Sequence, residues 1–141
     1  MSTLAAIREG LRSNLSSIPG VNVSAYVLSN PTYPQLWVYG PADERIIYHR
    51  AMHDGSEDWN IVVQALVGIP SDIGGQKVLD ELVASSGVSS VKAALESDRT
   101  LGGAAEDLVV QSCSGYGVYP RPDGTTALGA EWAVLVMMTG Q

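Results

Sequence analysis

Two long segments near the end of the sequence, residues 108–119 and 126–138, have the character of strands and restrict the fold more than any other feature. They are separated by Pro120–Thr125, where proline presets one turn dihedral and Gly124 accepts a positive φ. The pattern predicts a long β-hairpin whose second strand is central in a sheet or covered on both faces, because both of its faces are apolar. One face carries Trp132, Val134, Val136 and Met138, and the other carries Ala133, Leu135 and Met137.

The beginning of the sequence predicts a helix that leads into strands. Apolar residues recur every three or four positions, as on one face of a helix, and Pro19-Gly20 then ends the pattern. The residues on this face are Leu4, Ile7, Leu11, Leu15 and Ile18. Strands are predicted at 21–27, 36–39, 46–48 and 59–67, with an irregular loop at 29–34 and a turn at 53–56.

Two further helices are predicted between these strands and the hairpin. Ser71 or Asp72 can cap the first, and Ser89 or Ser90 can cap the second, which ends by Asp98. A chain of 141 residues suits one domain, so we expect a single domain over residues 1–141. The order of elements predicts an α+β fold, in which a mixed, mainly antiparallel β-sheet packs against helices.

The charge balance restricts the partners of the protein. Eight basic and fifteen acidic residues leave a net charge of −7, and the cations are scattered rather than clustered. Dedicated nucleic-acid binding needs clustered cations and is therefore not expected, whereas an acidic surface would let DNA slide past without sticking. No apolar run reaches the length of a membrane span, so we expect no membrane contact and synthesis in the cytoplasm.

The residues that commonly carry chemistry are few. His49 and His53 have the spacing of two metal ligands on a helix, but their segment has the pattern of a strand and a turn, so no metal site is predicted. We expect no cofactor and no enzymatic activity, because no phosphate-binding loop or nucleophile motif is present. Cys113 is the single cysteine and is expected to be a buried, inert thiol.

The aromatic residues of the sequence are three tryptophans and six tyrosines, and there is no phenylalanine. We expect most of them in or near the core. Tyrosine and tryptophan also anchor contacts between subunits, because they are large and rigid and can form hydrogen bonds at the edge of a contact.

A series of short motifs extends over nearly the whole sequence in a recognisable order. They are Ile18-Pro19-Gly20-Val21 after the first helix, Tyr48-His49-Arg50-Ala51-Met52, Asp58-Trp59, Leu79-Asp80, Ser86-Gly87, Ser90-Val91, Ala94-Leu95, Asp98 with Thr100-Leu101-Gly102-Gly103, Gly115-Tyr116 and Glu131-Trp132. In this order the chain resembles the tail terminator proteins, also called tail completion or minor tail proteins, of long-tailed, non-contractile bacteriophages.

The resemblance implies a structural virion protein with a tail-terminator-like α+β fold. Such a subunit would close into a homo-hexameric ring on the major tail tube protein, end tube growth, and join the head-completion or stopper protein. It would be located in the virion at the head-proximal end of the tail, and genomic DNA would pass through its lumen without specific binding. The family implies no catalytic residues.

Two other functions stay open at this stage. A head-tail connector or head-completion protein of the same particle would have a similar size and would also form a ring. A small-ligand-binding or enzymatic α+β domain would use an apolar face of the sheet as a pocket.

Two stretches are the candidate subunit interface, because each mixes charged and apolar groups near strand ends. The residues are Tyr48, His49, Arg50 and His53 in the first stretch, and Asp98, Arg99, Thr100 and Leu101 in the second.

Overall fold

The computed structural model describes residues 4–29, 31–41, 56–69, 71, 73–121 and 124–139. In these residues the protein is an α+β structure, as expected from the sequence. The helices and strands in chain order are α1 (Leu4–Leu15), β1 (Asn22–Ser24), β2 (Gln35–Pro41), β3 (Ser56–Gly68), α2 (Ile73–Leu82), α3 (Val91–Leu95), a 3-10 helix (Leu101–Gly103), β4 (Asp107–Pro120) and β5 (Thr126–Thr139).

The strands form one five-stranded mixed sheet in the order β1-β2-β3-β5-β4. β1 runs parallel to β2, and every other neighbouring pair is antiparallel. β5 therefore lies inside the sheet, between β3 and the other strand of the hairpin. A central position is one of the two arrangements predicted from its two apolar faces, and β1 and β4 are left as the edges of the described sheet.

The helices pack on one face of the sheet and form the main core with it. Side chains that alternate along the strands, such as Ile61 and Val63 of β3 and Val134 of β5, are buried in the same cluster as apolar residues of all three helices. The residues between them, including Val62 and Leu135, are only half-buried. Of the two arrangements allowed by the sequence, a central β5 is thus correct, while double coverage is not seen among the described residues.

The opposite face is covered at one corner by the turn end of the hairpin. Trp37, Leu66 and Ala127 form a second buried cluster there, against which Tyr119 packs. The Arg121 guanidinium lies 5.5 Å from the centre of the Trp37 ring. The turn therefore anchors the hairpin to β2 as well as to its own strands.

A polar network crosses three strands at this corner. The Trp37 indole N–H donates to Gln64 Oε1 at 2.8 Å, and Gln64 Nε2 donates to Glu131 Oε2 at 3.1 Å. The network gives the buried amide of Gln64 a partner on each side, which a buried polar group requires.

The hairpin is confirmed, with two irregularities in its register. Its turn is closed by the Arg121 N–H donating to the Thr125 carbonyl at 2.8 Å, and Gly124 has the predicted positive φ, 87°. The register of β4 against β5 shifts at two places, between Val110 and Ser112 and between Ser114 and Gly117. Such bulges bend a strand and increase its twist.

Asn14 connects the first helix to the end of α3 and to the residues that follow it. Its side-chain amide donates to the carbonyls of Leu95 and Asp98, each at 2.9 Å, and it is 8% exposed. Of the two serines predicted as possible caps of α3, Ser89 and Ser90, the cap is Ser90, because its Oγ accepts the Ala93 N–H at 3.1 Å.

Of the remaining predictions of strands and turns, one is corrected, two lie wholly or mostly outside the described residues, and two are confirmed. The strand predicted at 21–27 covers only Asn22–Ser24, because Ser24 Oγ both accepts the Tyr26 N–H and donates to the Tyr26 carbonyl, which turns the backbone. The strand predicted at 46–48 and most of the turn predicted at 53–56 lie outside the described residues. The strands predicted at 36–39 and 59–67 are confirmed as parts of β2 and β3.

Candidate subunit interface

Of the candidate interface residues, Tyr48, His49, Arg50 and His53 lie outside the described residues. The second stretch, Asp98–Leu101, forms the turn that joins α3 to the 3-10 helix. Its four side chains have separate roles, which the hydrogen bonds define.

Asp98 organises this turn. Its Oδ1 accepts the Thr100 hydroxyl at 2.7 Å and the Thr100 N–H at 3.1 Å, and its Oδ2 accepts the Gly102 N–H at 3.0 Å. These hydrogen bonds, led by that of the Thr100 hydroxyl, lower the pKa of Asp98. The carboxylate therefore stays ionised and holds the turn in one shape.

Arg99 forms a two-point ion pair with Asp107 at the start of β4. The distances are 2.7 Å from Nε to Oδ1 and 3.1 Å from Nη2 to Oδ2. The pair lowers the pKa of Asp107 and raises that of Arg99. Because both groups are exposed, the pair orients the turn against β4 more than it stabilises the fold.

Leu101 differs from its neighbours because its side chain belongs to the core. It is 4% exposed and has a positive φ of 52°. Gly10 of α1 lies directly against it, and a Cβ at that glycine would come within 2.6 Å of the Leu101 Cβ. The turn thus presents Asp98, Arg99 and Thr100 on the surface, while Leu101 attaches it to the first helix.

The β4 edge segment, residues 111–118, is a surface that the sequence reasoning did not single out. Residues 111–116 are all exposed, and Tyr116 and Val118 are large apolar side chains that are 51% and 56% exposed. The Tyr116 hydroxyl donates to Asp80 of α2 at 2.6 Å, which holds this ring in place. An edge strand also offers a row of backbone N–H and C=O groups for pairing.

The edge is closed at the beginning of β4. The Val110 N–H donates to a carboxylate oxygen of Glu96 at 3.1 Å, so the side chain of the residue directly after α3 occupies the place of a pairing strand. Lys92, which donates to Glu96 at 2.8 Å, is the main cause of the lowered pKa of this carboxylate. Pairing with another chain is therefore directed to residues beyond Val110.

The β1 edge segment, residues 22–28, lies on the other side of the sheet. Tyr26, Val27 and Leu28 are exposed there. Arg8 of α1 fixes the segment, because its Nη1 donates at 2.8 Å both to the Ala25 carbonyl and to the carbonyl of Val38 in β2. The same guanidinium lies 4.6 Å from the centre of the Tyr26 ring.

The two edge segments share a feature that is visible in the sequence, namely that each lies in a long run without charged residues. None of the eight basic and fifteen acidic residues falls within residues 13–42 or 108–120, and these two runs hold the β1 and β4 edge segments. The pattern becomes meaningful only when the topology places both runs at sheet edges.

Two expectations about single residues are wrong. Cys113 is exposed rather than buried, because it lies on the edge strand beyond the part of β4 that the helices cover. The expectation that most aromatic residues lie in or near the core holds for only half of the eight described ones: Trp37 and Trp132 are buried, and Trp59 and Tyr119 pack against the core clusters. Four described tyrosines are exposed, namely Tyr26, Tyr33, Tyr39 and Tyr116.

Alternative kinds of site receive little support. A shallow pocket of about 210 Å³, lined by Ile18, Pro19, Val78 and Glu81 among others, is smaller than the roughly 300–1,000 Å³ typical of small-ligand sites. Among the described residues, no group of three His, Cys, Asp or Glu side chains is placed to hold a metal ion. Within the same residues no helix has the length and apolar character needed to cross a bilayer.

Comparison with known proteins leaves the family open. No protein-family model matches the chain, and no curated protein matches it significantly.

Proposed function

We propose that the protein is a structural subunit of a bacteriophage virion, which closes into a ring at the head-proximal end of the tail tube. One observation carries the proposal. The segments 22–28 and 111–118, which lie at the two edges of the described sheet, contain no charged residue, and each carries exposed large apolar side chains. Edges of this kind suit a contact in which one surface of a subunit meets a different surface of the next, and such contacts generate rings.

The rest of the architecture suits a mechanical role. A five-stranded sheet backed by three helices, with Asn14 and the Trp37–Gln64–Glu131 network connecting separate elements, is a stiff unit. The net charge of −7 disfavours trapping of DNA in a lumen. The whole-length resemblance to tail terminator proteins adds the position in the particle, where the ring ends polymerisation of the major tail tube protein and joins the head-completion protein.

Deletion of the gene from the phage tests this proposal. We expect tail tubes of uncontrolled length and few joined particles in electron micrographs, and normal particles when the wild-type gene is supplied in trans. Immunogold labelling should place the protein at the head-proximal end of the tail.

Other results of the deletion experiment would contradict the proposed tail role. Tails of normal length that fail to join filled heads would assign the protein to the connector or head-completion role instead. Deletion phages with normal, infectious particles, or virions that contain none of the protein, would exclude a structural role.

A further inference from the structure

We propose that neighbouring copies join edge to edge, with the β1 edge segment of one copy lying along the β4 edge segment of the next. The inference rests on the proposed ring and names the surfaces that close it. The partner of each edge is thus a second copy of this chain.

The topology restricts how copies can meet. The described sheet has two edges, and four strand spacings of about 4.8 Å place them about 19 Å apart. Copies related by a rotation around a ring present different surfaces to each other at every contact. If sheets join through their edges, β1 of one copy therefore has to meet β4 of the next.

The charge pattern favours contact between copies of this chain. Two molecules of net charge −7 repel each other, and a contact through charged surfaces would bury like charges. The edge segments avoid this cost, because residues 22–28 and 111–118 contain no charged residue. Each also supplies an exposed tyrosine, Tyr26 or Tyr116, and tyrosine is one of the residue types that most often dominate the stability of an interface.

Both segments are held in shape before any contact forms. Arg8 fixes the β1 edge segment through the Ala25 carbonyl and the Tyr26 ring, and the Tyr116–Asp80 hydrogen bond fixes the β4 edge segment. Preorganised segments lose little conformational entropy on association. The Glu96 carboxylate closes the edge before Gln111, which limits the pairing to the uncharged part of β4.

Single lysine substitutions test each edge separately. Val27→Lys alters the β1 edge segment and Val118→Lys alters the β4 edge segment, and both side chains are about half exposed in the single chain, so folding should be retained. Val88→Lys is the matched control, because Val88 is 82% exposed in the turn between α2 and α3 and belongs to neither edge segment. Circular dichroism and thermal melting verify the fold of each variant.

Native mass spectrometry of the full chain over a concentration series provides the main measurement. We expect rings for wild type and Val88→Lys, and association weakened by about tenfold or more for Val27→Lys and Val118→Lys. Mixing the two edge variants should give a one-to-one pair that grows no further, because one intact β4 edge meets one intact β1 edge.

The mixing experiment separates this inference from its alternatives. If Val27→Lys alone forms a dimer that Val118→Lys cannot form, β4 pairs with its own copy and the inference is wrong. Rings that persist in both variants would also overturn it, while leaving the proposed ring function intact. A wild-type chain that stays monomeric at all attainable concentrations overturns it too, whereas gene deletion tests the tail function independently.

Discussion

The Asn14 side chain offers the sharpest test of how the helices are connected. Its amide donates to the Leu95 and Asp98 carbonyls at 2.9 Å from a position that is 8% exposed. Asn14→Ala removes both donors and leaves the Leu95 carbonyl facing a buried space. The Asp98 carbonyl keeps a second partner, the Leu101 N–H at 3.2 Å, so its loss is smaller.

The expected cost follows from these two bonds. The Leu95 carbonyl would be buried without a donor, which costs about 1–3 kcal/mol. The Asp98 carbonyl would lose one hydrogen bond but keep its second donor, which costs about 1 kcal/mol. The sum is a loss of about 2–4 kcal/mol in the free energy of unfolding. At roughly 4 °C per kcal/mol for a domain of this size, the Tm should fall by about 8–16 °C.

Urea and thermal unfolding followed by circular dichroism measure this loss. Asn14→Asp keeps the shape but replaces the donor by a carboxylate facing carbonyl oxygens, so at neutral pH it should destabilise at least as much. Ser13→Ala, at the exposed neighbouring position, is the control and should stay within about 0.5 kcal/mol of wild type. An Asn14→Ala loss as small as that of the control would refute the assigned role of the amide.

Three further predictions concern the sheet and its edge. Gly129→Ala should cost about 1–3 kcal/mol or more in thermal unfolding, because a Cβ there overlaps the Ala65 carbonyl oxygen of β3, and an unchanged Tm would contradict this packing. The pKa of Glu96 is lowered, chiefly by Lys92, so its contribution to stability should be complete above the ordinary glutamate pKa of about 4.3 and be lost as the pH falls below it. Urea unfolding should therefore show the advantage of wild type over Glu96→Gln shrinking between about pH 5 and pH 3, and a constant difference would argue against the pairing. Cys113 should react fully with a maleimide in the folded protein, with a rate that rises with pH because the thiolate is the reactive form. Partial burial raises the pKa of the thiol and so moves this rise to higher pH, whereas labelling only in denaturant would show that Cys113 is buried.

The elements that the sequence predicted well are those whose local pattern and packing agree. The hairpin, β3 and α1 each have a periodic apolar face that extends over several turns or strand repeats, so burial selects one conformation. The strand predicted at 21–27 shows the limit of this reasoning, because the Ser24 hydroxyl bonds to the Tyr26 backbone and ends the strand after three residues.

The candidate interface was only partly accessible from the sequence. The mixture of charged and apolar residues pointed to Asp98–Leu101 as a candidate interface. A sequence pattern does not show that the Leu101 side chain is buried in the core, or that the Asp98 carboxylate accepts hydrogen bonds from within its own turn. The uncharged runs at 13–42 and 108–120 were visible, but an uncharged run has the same appearance in a core as at an edge.

The amino-acid sequence by itself determined the α+β class, the C-terminal hairpin and the acidic character, because these depend on local periodicity, turn residues and composition. Only the tertiary structure decided which strands are edges, which face the helices cover, and that Cys113 and several tyrosines lie on the surface. The physical reason is that strand order and the exposure of an edge depend on pairings between residues far apart in the chain, which no local pattern specifies.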